Sequence, residues 1–189
     1  MEKIATHDSA TGEKGKGFVS WLVTPFARTQ GKTIREQYDA GCRSFDIRVR
    51  KSGDTWHCAH GPWMSKRTLM EIIYEIESFE DRCQVCVTYE GKIDGNEELK
   101  RLFEDLRKAC THIIWGYLAV KYGKDSSGVV VKYDIVSGGD KEYEGGDQGF
   151  LPLDGRSWHT YLPIPWLWDR IYKRPHKFNE ERFTYVDFL

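Results

Sequence analysis

The sequence predicts an α/β domain on a mainly parallel sheet, and three observations carry that expectation. Segments that alternate apolar and polar residues take turns with segments of helical periodicity. One run, "GVVVKYDIV" at 128–136, is a β-branched stretch of the kind buried in parallel sheets. The length, 189 residues, suits a single domain spanning 1–189 with one core. An open doubly wound sheet and a closed barrel both satisfy this alternation, and periodicity does not choose between them.

The elements follow in order. Lys3 to Thr6 reads as a short strand, followed by a Gly- and Lys-rich loop, "TGEKGKG". "TIREQYDAG" is a helix whose Thr33 and Glu36 have capping-box spacing and whose Gly41 stops it. "RSFDIRVR" and "DTWHCAHG" alternate like strands on either side of the turn "KSGD". In "TLMEIIYEIESF", Leu69, Ile72, Ile73 and Ile76 form one helical stripe behind a second capping box, Thr68 with Glu71. The strand "QVCVTYEG" precedes the clearest helix, "NEELKRLFEDLRKAC", with Leu99, Leu102, Phe103 and Leu106 on one face. "HIIWGYLAV" and "GVVVKYDIV" read as further strands. The acidic, glycine-rich stretch at 137–149 reads as a loop; lacking GK[ST], it is not a phosphate-binding P-loop. An aromatic segment at 157–176 leads to a closing strand, "RFTYVDFL".

Composition narrows the partners. Lys and Arg total 28 against 29 Asp and Glu, so net charge offers no long-range attraction to nucleic acid, and none is expected as a partner. No apolar run reaches the ~18 residues of a membrane span, and "MEKIATHDS" lacks the organisation of a secretory signal. As given, the chain is expected in the cytoplasm or peripherally at a membrane. Five cysteines, an odd number, argue against a fully paired disulfide framework. Cys83 and Cys86 form a CxxC, but an odd separation on a strand points them to opposite faces, so buried thiols are expected rather than a metal or redox site.

Polar sets cluster at the ends of the early strands: His7 and Asp8 in "THDS", then Arg43, Asp46, Arg48 and Arg50 in "GCRSFDIRVR", then His60 before a Gly-Pro turn. Asp46 and Arg48, two apart on a strand, share a face. Two imidazoles beside a guanidinium can cleave a phosphodiester without a metal. One imidazole takes the proton of an internal hydroxyl, the guanidinium neutralises charge on the phosphoryl oxygens, and the other imidazole protonates the leaving alkoxide. Taken singly, each residue has a plainer role: a frayed terminus, a surface histidine, an ion pair within a strand. His57 falls on the opposite face from His60 and reads as structural.

In order, "THDSAT", "REQYDAGCRSFDIRVR" and "HCAHGP" resemble the phosphatidylinositol-specific phospholipase C X-domain family, and in particular its bacterial, metal-independent members. The likeness covers about residues 5–78 and returns at "YVDFL". It implies a TIM-like (β/α)8 barrel, here small, distorted and short of some outer helices, since such barrels take about 250 residues. It further implies His7 as general base, His60 as general acid and Arg48 as transition-state stabiliser. Asp8 and Asp46 would position these groups, and Asp187, on the last strand, would orient His7. Attack by the inositol 2-hydroxyl of phosphatidylinositol or a glycosylated phosphoinositide would release diacylglycerol and an inositol 1,2-cyclic phosphate.

No cofactor is expected. Arg48 stands where calcium-dependent relatives have an acidic ligand; Glu90 falls where those enzymes have another ligand, which keeps calcium as a residual alternative, and where metal-independent ones have a sugar-contacting lysine. Glu90 is read as an acceptor for substrate hydroxyls, Lys132 as a replacement cation, and Arg43 as a further substrate-binding residue. Trp21 and Leu22, in "FVSWLVTPFA", fall where the bacterial enzymes expose an apolar helix to the bilayer, and Trp166 and Trp168 are a second candidate contact. The alternatives are a glycerophosphodiester or lysophospholipid phosphodiesterase on the same barrel, or a non-catalytic phosphoinositide-binding module.

Overall fold

Strands β1 (Ile4–Thr6), β2 (Cys42–Ser52) and β5 (Gln84–Tyr89) run parallel side by side and carry the centre of one sheet. They belong to a computed structural model that describes residues 4–91, 97–116, 119–124, 130–136, 145–148 and 183–186, with side chains over 4–91 and 97–116. Beyond β5 lie β6 (Ile114–Trp115) and β7 (Ala119–Lys124), both parallel to it, in place of the single strand expected from "HIIWGYLAV". On the other side, β1 pairs in parallel with β10 (Phe183–Val186), and β10 with β9 (Gly145–Gln148). The sheet path ends at β8 (Val130–Val136) and β9.

Three further details depart from the sequence reading. β8, expected as a parallel strand, is antiparallel to β7. Only residues 125–129 separate the two, far short of the dozen or so residues a parallel crossover needs. β9 arises from "GGDQ", within the stretch read as a loop; its pairing with β10 uses backbone groups, which need no apolar pattern. β3 (Thr55–His60) and β4 (Trp63–Thr68) form a hairpin whose first strand pairs antiparallel with the end of β2, and β4 had no clear alternation to announce it.

The helices are α1 (Gly17–Ala27), α2 (Ile34–Asp39), α3 (Leu69–Glu77) and α4 (Glu97–Ala109). Both expected capping boxes form, Thr33 with Glu36 and Thr68 with Glu71. Strand parity divides the sheet. Phe45, Ile47 and Val49 of β2, with Val85 and Val87 of β5, are fully buried in one cluster with Ile72, Ile73 and Ile76 of α3 and Leu99, Phe103 and Leu106 of α4. The residues between them, Ser44, Asp46 and Arg48, pair in register with Gln84, Cys86 and Thr88, so the opposite face is polar. That polar face bears the candidate site.

Phe103 is fully buried and meets Trp115 edge to face at 6.0 Å. Phe103→Ala is expected to lower unfolding free energy by about 3–5 kcal/mol, read from urea denaturation, because it removes buried area and leaves a cavity. Equal midpoints and slopes for the variant and the parent would contradict this placement of the core.

Candidate active site

The chain's first described strand is among its best anchored. Thr6 is the register partner of Phe45 on one side and Val186 on the other, so His7 leaves the sheet from between two neighbours. Asp8 takes φ 43, ψ 45, in the left-handed region that aspartate tolerates better than most residues. Thr29 Oγ1 and Gln30 Nε2 each donate to the His7 carbonyl at 3.1 Å. Gln37 Nε2 donates to the Ser9 carbonyl at 2.8 Å. These bonds fix the turn on which His7 and Asp8 sit.

The polar face of β2 meets that turn. His7 Nδ1 lies 3.8 Å from Asp46 Oδ2, which also accepts the Asp8 backbone N–H at 3.4 Å. Arg48 Nε is in contact with Asp8 Oδ1, and its Nη1 lies 3.6 Å from Glu90 Oε1. His60, the last residue of β3, places Nδ1 3.6 Å from Asp8 Oδ2 and 2.7 Å from the Ala27 carbonyl. A carbonyl only accepts, so Nδ1 carries hydrogen and the ring is held from that edge. His7, Asp8, Asp46, Arg48, His60 and Glu90 thus form one connected cluster, drawn from the ends of β1, β3 and β5 and the polar face of β2.

Electrostatics follow from this packing. Burial raises the Asp46 carboxyl pKa, but the hydrogen bond from His7 and the charge of Arg48 outweigh it, leaving Asp46 below the ordinary carboxylate range. Burial works against the Arg48 charge, yet Asp8, Asp46 and Glu90 push its pKa above the usual value, so it is a permanent cation. Because the native state favours ionised Asp46, the associated stability is complete above the unfolded value of about 3.9 and is lost as pH falls through the lower native value. The stability difference between the parent and Asp46→Asn is therefore expected to be constant near neutrality and to shrink below about pH 4. Denaturant titrations at several pH values measure it; a difference that grows on acidification contradicts the pairing.

Other expected residues fall elsewhere. Arg43 is not brought to the cluster. It donates from Nε to Asp81 Oδ2 at 3.0 Å, lies over the Tyr38 ring at 4.1 Å, and sits at odd parity on β2, away from Asp46 and Arg48. This corrects its reading as substrate-binding: its charge is engaged in tying β2 to α2 and to the loop after α3. His57 is buried between Lys16 Nζ, 3.0 Å from Nε2, and the Arg67 carbonyl, in keeping with a structural role. All five cysteines are buried thiols outside any disulfide; burial pushes Cys42 and Cys110 up to about 11 and Cys83 up to about 12.

Lys132 belongs to β8, opposite Tyr122 of β7, and its side chain lies outside the described residues. Asp187, Trp166 and Trp168 also lie outside them, although Val186, just before Asp187, is the register partner of Thr6, just before His7. The stretch at 137–144 lies outside them as well. Sequence reasoning missed Thr29, Gln30 and the Ala27 carbonyl, which hold both histidines from the end of α1 and the connection after it. Backbone acceptors and lone amides leave no motif.

Trp21 and Leu22 lie on α1, where they are 68% and 55% exposed, so Trp21 does not close the core. Phe18, Val19 and Phe26 are exposed beside them, and the helix has no charged residue. Among the described residues no helix is long and apolar enough to cross a membrane.

The fold is similar to that of the phosphatidylinositol-specific phospholipase C from Listeria monocytogenes, with a TM-score of 0.54 and 15% identity over 99% of this chain and 88% of that one. A variant of the phosphatidylinositol-specific phospholipase C from Staphylococcus aureus aligns with a TM-score of 0.46 and 18% identity, over 67% of this chain and 52% of that chain. No family model matches the chain, and no curated protein sequence matches it. What the first likeness establishes is the fold: a mixed α/β sheet arranged as in a bacterial phospholipase C.

Proposed function

We propose that this chain is a metal-independent phosphodiesterase of the phosphatidylinositol-specific phospholipase C type, its residues 1–189 forming one small, distorted barrel domain. The observation that carries the reading is the single cluster linking two histidines through Asp46, Asp8 and Arg48. His7 takes the proton of the inositol 2-hydroxyl as its oxygen bonds to phosphorus. Arg48 neutralises the charge that develops on the phosphoryl oxygens. His60 then gives a proton to the diacylglycerol oxygen as its bond to phosphorus breaks, leaving inositol 1,2-cyclic phosphate. Positioning and preorganised charge supply most of the rate.

Asp46 and Asp187 orient His7, Asp8 bridges Arg48 and His60, and Lys132 is the replacement cation. The residues present do not fit calcium: Asp8 and Glu90, the carboxylates nearest Arg48, face its guanidinium, whose fixed charge repels a cation. Among the described residues no group of three or more His, Cys, Asp or Glu side chains is arranged to hold a metal ion. The exposed apolar face of α1, around Trp21 and Leu22, rests on the lipid surface during turnover.

Incubation with phosphatidylinositol vesicles in excess chelator, followed by phosphorus NMR and mass spectrometry, tests the reading. The expected products are diacylglycerol and a cyclic inositol phosphate. Cleavage of glycerophosphodiesters or lysophospholipids alone moves the substrate to the alternative class. Vesicle binding with no product, unchanged in His7→Ala, identifies a binding module.

A further inference from the structure

Glu90 carries an acceptor that has no need of substrate. Its Oε2 accepts the backbone N–H of Gly61 at 2.9 Å, and its Oε1 faces Arg48 Nη1. Gly61 is the residue after His60, and at φ +54 it turns the chain from β3 into β4. The other polar group of that residue is held too, because Arg50 Nη1 donates to the Gly61 carbonyl at 2.6 Å. Both gripping side chains come from outside the hairpin. Arg50 extends the Asp46–Arg48 row of β2, and Glu90 is anchored by its own N–H to the Val49 carbonyl at 2.9 Å.

We propose that Glu90 and Arg50 are positioning residues for the general acid: they clamp Gly61 from both sides and so set where His60 stands relative to Arg48. The proposal rests on the phosphodiesterase reading for its catalytic consequence. The backbone of a two-residue turn at a sheet edge has few strand partners, and the Nδ1 bond to Ala27 holds the ring along one edge only. With the backbone also held, the imidazole has one place to be, and Glu90 ties that place to the guanidinium that contacts the phosphate. Glu90 is thereby reassigned from a contact of substrate hydroxyls to a link between two catalytic groups.

A residue that acts through a general acid matters only when the leaving group needs a proton. Turnover of Glu90→Ala, Glu90→Gln and Arg50→Ala is therefore compared on phosphatidylinositol and on the p-nitrophenyl phosphodiester of inositol, whose nitrophenolate departs unprotonated. On phosphatidylinositol both alanine variants are expected to lose kcat by about 10²-fold, the cost of a misplaced catalytic group, with KM little changed. On the nitrophenyl ester the loss should be at least about tenfold smaller, because proton donation there contributes little. Glu90→Gln should recover part of the lost turnover, since its amide oxygen still accepts from Gly61 while its NH2 cannot accept from Arg48.

Equal losses on both substrates, or a rise in KM at constant kcat, overturn the clamp. If the parent protein cleaves neither substrate, the phosphodiesterase reading fails, and the clamp is then decided by the His60 Nδ1–H resonance in nitrogen-labelled protein. That resonance is expected in the parent and Glu90→Gln and lost from both alanine variants; its persistence in all of them overturns the clamp independently of activity.

Discussion

His60→Ala is expected to reduce kcat on phosphatidylinositol by about 10²- to 10⁴-fold, the usual worth of a positioned proton donor. The ring is half-buried, makes its Nδ1 contacts to Ala27 and Asp8 at the site, and belongs to no core cluster, so its removal should leave the fold intact. His7→Ala should cost a similar factor, with a different dependence on the leaving group. The base is needed whatever group departs, so the His7→Ala loss should persist on a nitrophenyl ester while the His60→Ala loss shrinks. Steady-state rates on the two substrates separate the roles. Wild-type turnover in either variant, or identical leaving-group dependence in both, removes the two-imidazole assignment.

The residues behind this prediction were legible for a physical reason. Site and core share β2, and a period of two writes them on alternate positions: Phe45, Ile47 and Val49 into the helices, Asp46 and Arg48 onto the polar face. The same parity separates Arg43 from Asp46, a signal already present in "CRSFDIR" that the list of charged residues concealed. Capping boxes were equally readable because they are local, each closed within four residues.

What escaped was non-local. β9 is a strand because β10 offers it a backbone ladder, and nothing in "GGDQ" says so. The direction of β8 is set by the shortness of its connection to β7, and its β-branched composition suits either direction. The hydrogen bonds that join the end of α1 and the residues after it to both histidines use an alanine carbonyl, a threonine and a glutamine, residue types found anywhere.

Arg48 sets the second large effect. Its guanidinium is surrounded by Asp8, Asp46 and Glu90, and it contacts Asp8 through Nε while reaching toward Glu90 through Nη1. A planar fork can keep both carboxylates and still present donors to a phosphoryl oxygen; an ammonium, a point charge with three donors, cannot span them. Arg48→Lys is expected to lower kcat by about 10²- to 10³-fold, as removal of one preorganised charge donor does, with a smaller change in KM because the net charge is kept. Arg48→Met should go further. It leaves three neighbouring carboxylates without their cation, so in that variant they should favour protonation and the protein should be less stable than Arg48→Lys at neutral pH, with the gap narrowing toward acid. Kinetics and thermal unfolding across pH measure both effects, and full turnover in Arg48→Lys would show that the guanidinium is structural and that the phosphate is held by some other group.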